Sequence, residues 1–484
     1  MDNGKIWNFK EEAKLYCELD CISLYQVLTK FNTLIFNKFK LNINNYPTLP
    51  GLSFAIFRAH YLKDNSIHML SGDISKDIRT GYTGGAVDMY VPKSFDNSKI
   101  YAYDVNSLYP YVMRDFKMPI GNPIYFNGNI LKKEDKPFGF FYCNITAPDN
   151  LEHPIIQSHI NTNDGIRTIS PQGAWKDMIF SEEMYNAMKL GYKFDVKWGY
   201  LFNSDFIFKD FVNDIYELRL KYPKSDPMNY TAKLILNSLY GRFGMDDNFS
   251  QSYIMSKIDY KSFENKLNNK ESIQDIIDLG GNYLVQIKNP KVELNTQLDN
   301  GSEKHNVNVA VASAISAYGR IYMSQFKNDP DYILFNTDTD SIYIDTPLPD
   351  SFISETELGK MKLENICSKA IFIAPKVYGI VNEKGEEIIK IKGLTEDSRV
   401  NITVDNLEEL LVKDNSLEVN QDKWYRNIAE GNISVKEQIY TLKVTGNKRK
   451  LIYDKTLQGD NLVDIFVDTE PYIIDENKNI INIE

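Results

Sequence analysis

The sequence predicts an α+β fold, and three observations carry the prediction. Apolar residues recur at helical spacing in residues 11–39, 206–243 and 307–326. Short apolar runs bounded by turn residues read as strands, above all "YILFNTDTDSIYID" at 332–345, which reads as a hairpin. Gly, Pro and short β-like runs gather between Pro119 and Tyr200 as an inserted β-containing region.

Taken in order, Leu15, Leu19, Ile22, Tyr25, Leu28, Phe31 and Ile35 form the first helical stripe. "GYTGGAVDMYVPKSF" supplies a turn and a short strand, and "KIYAYDVNSLYPYVM" a strand running into a turn and a helix that begins near Ser107. "FGFFYCNIT" and "YKFDVKWGYLF" are the β-like runs of the insert. Two long helices follow, joined at "YPKSDP" where Pro223 and Pro227 interrupt the first. Residues 250–300 read as polar and irregular, and "VNVAVASAISAYGRIYMSQF" as an apolar helix before the hairpin. A β-rich stretch from Lys376 to Gly393 and a helical, charged C-terminal region close the chain.

At 484 residues, several subdomains are expected. No run of about 18 apolar residues exists to cross a membrane. The first residues show neither a signal core nor an Arg-rich transit pattern. Cys17, Cys21, Cys143 and Cys367 form no C-x-x-C pair or zinc spacing, which suits a reducing compartment. The 5 histidines are scattered, so metal chemistry would rest on oxygen ligands, suited to Mg²⁺ or Mn²⁺. The net charge of -11 counts against a nucleic-acid partner, but a groove depends on local sign, and "KVTGNKRK" is basic. Abundant Lys, Asn and Ile are expected of an AT-rich genome.

The hairpin raises a chemical question. Asp338 and Asp340 lie one residue apart at its tip, where like charges repel and desolvation costs several kcal/mol. A divalent cation would offset both. Asp104 ends a second apolar strand, so the three carboxylates could converge on two ions about 3.5–4 Å apart, an arrangement for in-line phosphoryl transfer. Taken alone, Asp338 and Asp340 also read as a solvated turn. A third segment, "KLILNSLYGRFG", puts Lys233, Asn237, Tyr240, Gly241 and Gly244 on one helical stripe. One cation, one amide, one aromatic ring and two glycines suit a nucleotide better than a core.

Together "DVNSLYP", "KLILNSLYG" and "DTDS" resemble motifs A, B and C of the family B DNA polymerases, in the right order. The best fit is their protein-primed branch, that of φ29-type phages and mitochondrial linear plasmids. "YTGG" resembles the Y-x-G-G element, and "PKVYG" the K-x-Y element. The resemblance implies a right-hand polymerase fold: a palm with an antiparallel sheet, helical fingers and a thumb, with a remnant of a 3′→5′ exonuclease domain. The implied divisions are 1–75 for the exonuclease remnant and linker, 76–116 for the first palm segment, and 117–205 for a priming-protein-binding insert. Next come 206–249 for the fingers, 250–306 for a strand-displacement insert, 307–395 for the palm with motif C, and 396–484 for the thumb and acidic tail.

The resemblance also implies roles. Asp104, Asp338 and Asp340 are catalytic, with Asp104, Asp340 and the Val105 carbonyl binding two Mg²⁺ (or Mn²⁺) ions. Tyr109, Lys233, Asn237, Tyr240 and Lys221 bind the nucleotide, Tyr109 lying under the sugar and excluding a 2′-hydroxyl. Tyr82, Gly84, Gly85, Lys376, Tyr378 and Lys392 contact DNA. The expected enzyme is a DNA-directed DNA polymerase, a nucleotidyltransferase replicating a linear plasmid or viral-type element as a monomer. Its partners are primer–template DNA, dNTPs and a terminal priming protein, with no membrane. The expected compartment is the mitochondrion, encoded there, or the host cytoplasm for a plasmid or virus.

One departure stands out. "YCELD" (Tyr16, Asp20) resembles the third proofreading motif, but only 15 residues precede it, too few for the first two, so an N-terminally truncated or degenerate gene product, or an incomplete open reading frame, without trimming activity is expected. Two rival readings are a reverse transcriptase or other palm polymerase, and an inactive DNA-binding remnant of a decaying mobile element. Tyr109 and "DTDS" in place of Y-x-D-D oppose the first, and the intact polymerase carboxylates oppose the second.

Overall fold

The computed structural model describes residues 8–63, 66–70, 72–133, 135–162, 165–245, 250–266, 273–288, 308–427, 432–458 and 461–482. In chain order come α1 (Phe9–Phe39), α2 (Leu49–His60), α3 (Gly72–Thr80), β1 (Val87–Met89), β2 (Ile100–Val105) and α4 (Leu108–Asp115). The middle holds β3 (Met118–Asn127), β4 (Gly139–Thr146), β5 (Ser158–Thr162), β6 (Gly165–Ile169), β7 (Gln172–Phe180), α5 (Ser181–Met188) and β8 (Lys193–Asp205). Then follow α6 (Lys209–Leu220), α7 (Pro227–Phe243), β9 (Ser250–Ser256), α8 (Lys257–Lys266), β10 (Ile273–Asp278), β11 (Asn282–Lys288) and α9 (Val309–Ser324). The hairpin is β12 (Leu334–Asp338) and β13 (Ser341–Ile344), followed by β14 (Met361–Ala374), β15 (Val377–Asn382) and β16 (Glu387–Ile391). The chain closes with α10 (Glu396–Arg399), α11 (Val404–Glu409), β17 (Leu417–Asn427), β18 (Asn432–Leu442), β19 (Arg449–Gln458), β20 (Asn461–Pro471) and β21 (Ile473–Ile474).

Two compact units form. The first joins Met1–Ser66 to Ile207–Arg242, and the second joins Ile67–Phe206 to Phe243–Glu484. In the first, Asn8 caps α1 by accepting from the Lys10 and Glu11 amides, and Lys40 ends it in the left-handed region. The predicted helix is there, but its stripe is not core. Leu15, Leu19, Ile22, Tyr25 and Leu28 are exposed, and only Ile35 and Phe39 are buried. The buried apolar face belongs instead to α2, whose Phe57 ring lies 4.9 Å from Phe208 and 5.8 Å from Phe211. The α6–α7 break is built as the sequence predicts. Asn229 donates to the Arg219 and Tyr222 carbonyls at the end of α6, Asp226 accepts from the Met228 amide, and Pro227 opens α7.

The second unit is centred on a seven-stranded antiparallel sheet in the order β1-β12-β13-β2-β14-β15-β16. Ile371, Phe372, Ile373, Ile380, Val404 and Leu407 bury one of its cores. The β-containing insert folds as the antiparallel β7-β4-β8-β3 sheet, extended by β21, around Phe141, Ile145, Trp175 and Val196.

Two expectations are corrected. Residues 250–288 are not irregular where described: β9, β11 and β10 form a three-stranded sheet around buried Leu284, Val285 and Ile287. The remainder of that stretch, 289–300, lies outside the described residues. Among the described residues the charged C-terminal region is helical only in α10 and α11; the rest forms the hairpins β17–β18 and β19–β20. Polar and apolar residues alternate with period two in parts of it, as in "LEVN" and "NISVK", which suits a half-exposed strand.

Candidate active site

The carboxylates are brought to one end of three adjacent strands. Asp338 ends β12, the two-residue turn Thr339–Asp340 follows, and Ser341 opens β13 directly opposite Asp338. Across β13, Ser341 faces Asp104 of β2, and Asp104 in turn faces Lys362 of β14. Directly opposed residues share a face, so Asp338, Ser341 and Asp104 project from the same side, with about 10 Å between the outer two backbones. Asp340 occupies the turn between them.

That turn is strained and clamped. Thr339 has φ 60°, a left-handed conformation unusual for a β-branched residue. Its amide donates to the Ala86 carbonyl at 2.8 Å, and the Val105 amide donates to the Asp340 carbonyl at 2.8 Å. Gly85 lies against it so closely that an added Cβ would fall 2.5 Å from Thr339 Cγ2. Gly85 therefore supports the turn, whereas a Cβ on Gly84 would meet no atom within 4 Å.

The Asp340 carboxyl is pushed up to about 6, chiefly by burial, with Asp338 and Glu364 adding and Lys376 opposing. Lys376 places its Nζ 2.6 Å from Asp338 Oδ1. Its expected partner was DNA, yet here its charge is engaged by a catalytic-motif carboxylate. Tyr378 accepts a hydrogen bond from the Tyr343 hydroxyl at 3.0 Å, and exposed Lys392 donates its amide to the Lys376 carbonyl. Glu364, on an irregular stretch of β14, was not flagged by the sequence reading.

These residues suit a hard divalent cation. The donors are oxygens, and a desolvated Asp340 beside two further acids lacks enough positive charge. The site would rest on two carboxylates and a carbonyl. Among the described residues no three His, Cys, Asp or Glu side chains gather closely enough to hold an ion by themselves.

The neighbouring loops are held from α9. Arg320 is buried, forms a bidentate pair with Glu183 of α5 at 2.6 and 2.7 Å, and donates to the Thr83 and Gly84 carbonyls at 2.8 and 2.9 Å. It thereby fixes the Y-x-G-G loop, in which the Tyr82 carbonyl also faces His159 Nε2. Sequence reading took α9 as an apolar helix; its single interior cation was the available signal. One residue earlier, Gly319 admits Tyr109: a Cβ there would lie 3.3 Å from the Tyr109 ring. Behind Asp104, Asn106 donates to the Ser354 carbonyl at 2.7 Å and accepts from the Gly359 amide at 3.0 Å.

The remaining predicted nucleotide-binding residues belong to the first unit. On α7, Lys233, Asn237 and Gly241 are exposed and Tyr240 is half-buried, while Ile235, Leu236 and Leu239 are buried on the other side. The stripe is shorter than predicted. The helix ends at Phe243, and Gly244 belongs to the second unit, where a Cβ would meet the Tyr82 hydroxyl at 2.6 Å. Lys221 is exposed at the C-cap of α6.

Comparison with known proteins follows the same lines. The family model for type B DNA polymerases, organellar and viral, matches residues 1–332. A protein of Ascobolus immersus named as a probable DNA polymerase is 36% identical over 460 residues, covering 94% of this chain and 37% of that protein. One from Neurospora intermedia with the same description is 37% identical over 441 residues, covering 89% of this chain and 44% of its own length. The chain thus spans about two-fifths of the length of these curated relatives. Among solved structures, Phi29 DNA polymerase complexed with primer-template DNA and incoming nucleotide substrates superposes with a TM-score of 0.61 at 20% identity, covering 85% of this chain and 70% of that one. The right-hand polymerase fold is therefore shared, and by its matched residues the chain belongs to the organellar and viral type B DNA polymerases.

Proposed function

We propose that the chain is a DNA-directed DNA polymerase that adds deoxynucleotides to a primer 3′-hydroxyl. The observation that carries this reading is the placement of Asp104, Asp338 and Asp340 at one end of the sheet, the latter two flanking a turn clamped by the Y-x-G-G loop. Asp104, Asp340 and the Val105 carbonyl would hold two Mg²⁺ (or Mn²⁺) ions, which when bound make the primer hydroxyl more acidic and neutralise charge on the phosphates. Asp338 contributes as a neighbouring carboxylate and anchors Lys376, which is thereby kept beside the primer end. Tyr109, backed by Gly319, would lie under the incoming sugar and select against a 2′-hydroxyl. On the first unit, Lys233, with Lys221 as a further cation, would meet phosphates, while Tyr240 supplies a stacking surface and Asn237 an amide.

Primer extension tests this directly. Asp104→Asn or Asp340→Asn should abolish nucleotide addition while leaving DNA binding near normal, because the loss falls on transition-state charge stabilisation worth several kcal/mol. Near-normal turnover in either variant would sink the assignment. Tyr109→Val should raise ribonucleotide use far more than it lowers deoxynucleotide use; equal losses would mark Tyr109 as packing. Preference for RNA over DNA templates would favour the reverse-transcriptase reading.

We infer further that synthesis begins on a priming protein. The support is the resemblance to the protein-primed branch, together with an insert that builds a four-stranded sheet, extended by β21, over a core of its own. Transfer of a labelled deoxynucleotide to a protein hydroxyl, without any DNA primer, is the measurement that decides it.

A further inference from the structure

The turn that follows Asp104 is strained, and the residue at its centre is tied down. After β2, Ser107 takes φ 56° and ψ 64°, a left-handed conformation that costs roughly 1–2 kcal/mol outside glycine, and α4 starts at the next residue. Such a residue persists only where its surroundings over-determine it. Its predecessor, Asn106, bonds through backbone and side chain to the single loop 354–360 that leads into β14. The Asn106 amide donates to the Lys360 carbonyl at 2.8 Å, and its carbonyl accepts from the Gly359 amide at 3.0 Å. These two bonds continue the β2–β14 pairing past Val105 and Met361. Its side-chain Nδ2 donates to the Ser354 carbonyl at 2.7 Å and to the Glu357 carbonyl at 3.2 Å.

The loop is shaped around that side chain. Ser354 Oγ accepts from the Thr356 and Glu357 amides at 3.3 and 2.9 Å, which folds 354–357 into a turn whose carbonyls face Asn106. Gly359 has φ 84°, and a Cβ there would fall 2.2 Å from the Tyr111 ring of α4. Tyr322 of α9 donates to the Gly359 carbonyl at 2.5 Å, and its ring stands 5.3 Å from that of Tyr111. Loop, α4 and α9 therefore close on residues 106–107, while the Val105 amide is tied to the Asp340 carbonyl. The Val105 carbonyl precedes Asn106 by one residue and Tyr109 follows it by three, so a rotation of this turn moves both.

We propose that Asn106 is a positioning residue for nucleotide addition: its side-chain amide, seated in the 354–360 loop, sets the Val105 carbonyl and the Tyr109 ring relative to each other. It thereby couples metal binding to sugar selection, and Tyr322 supports it from α9 through Gly359. This role rests on the proposed function, which gives the Val105 carbonyl and Tyr109 their tasks.

The test uses the full chain. Asn106→Leu keeps the shape of the side chain and removes both of its donations. In primer extension it should lower the deoxynucleotide-to-ribonucleotide ratio of kcat/KM about tenfold and raise the half-saturating Mg²⁺ concentration by about the same factor. A residue needed only for folding would scale both sugars alike and leave both quantities unchanged. Without metal, nucleotide or DNA, hydrogen exchange of the peptide spanning 104–111 should be faster in the variant than in the wild type. Tyr322→Phe, which deletes only the hydroxyl on Gly359, should shift all three readouts in the same direction by a smaller factor, and it decides the matter if Asn106→Leu does not fold. An unchanged sugar ratio and Mg²⁺ dependence, or unchanged exchange, would overturn the proposal. Asp104→Asn separates this failure from that of the function: if it abolishes addition while Asn106→Leu behaves as wild type, only the positioning role falls. If Asp104→Asn retains turnover, the function falls and the role with it.

Discussion

At the scale of single residues, Gly85 and Gly84 illustrate how neighbours with one composition acquire different constraints. A methyl group on Gly85 would enter the Thr339 side chain at 2.5 Å, whereas one on Gly84 enters open space. Thr339 separates the two hairpin aspartates, so it cannot give way without moving Asp338 or Asp340. Gly85→Ala should therefore cost about 1–3 kcal/mol in stability and at least about tenfold in nucleotide addition. Gly84→Ala should be close to neutral in both. Adding Thr339→Ser, which deletes the Cγ2 atom, should recover part of the Gly85→Ala loss. Equal behaviour of the two alanine variants in primer extension would refute the clamp.

At the scale of elements, α9 is the part that binds loops together. Its Arg320 satisfies two loop carbonyls and neutralises Glu183, and both members of the pair are over nine-tenths buried. Breaking a buried pair leaves an uncompensated charge, so Arg320→Met should destabilise the chain by about 3–5 kcal/mol. Combining it with Glu183→Gln should restore much of that, although Thr83 and Gly84 still lack their donor. Urea unfolding of the two single variants and the double variant measures the coupling; strictly additive losses would show that the pair is not the cause. The same scale explains the misreading of the C-terminal region. Charged residues spaced four apart, as Asp464 and Asp468, fit one face of a strand as well as that of a helix, and pairing of β19 with β20 decides between them.

At the scale of the whole molecule, buried polar groups set a dependence on pH. His153 is held neutral, its imidazole pushed down to about 3, first by burial and then by Arg449 and Lys327. Its ring lies 4.3 Å from that of Tyr90, and Glu152 approaches to 4.0 Å. An unfolded histidine titrates near about 6.5, so between the two values the unfolded chain binds more protons than the folded one. The contribution of His153 is complete above about pH 6.5 and is lost as pH falls toward about 3, at about 1.4 kcal/mol per pH unit. Urea midpoints at about pH 7 and about pH 5 should fall more steeply for the wild type than for His153→Gln. Parallel behaviour would mean the imidazole is not kept neutral.

What the sequence determined by itself was local: the β12–β13 hairpin with Asp338 and Asp340 at its tip, the strand–turn–helix around Asp104, and the amphipathic α7 with Lys233 and Asn237 outward. Each depends on residues within one or two turns of chain, so spacing and turn chemistry suffice to read it. The tertiary structure alone decided which strands flank that hairpin, that Lys376 reaches Asp338, that Gly85 packs on Thr339, and that Arg320 meets Glu183. These contacts join segments remote in sequence, and nothing in the periodicity of either partner encodes the other. The exposed face of α1 shows the converse: a helical stripe specifies a helix, but burial of that stripe requires an opposing surface, which among the described residues only Ile35 and Phe39 find.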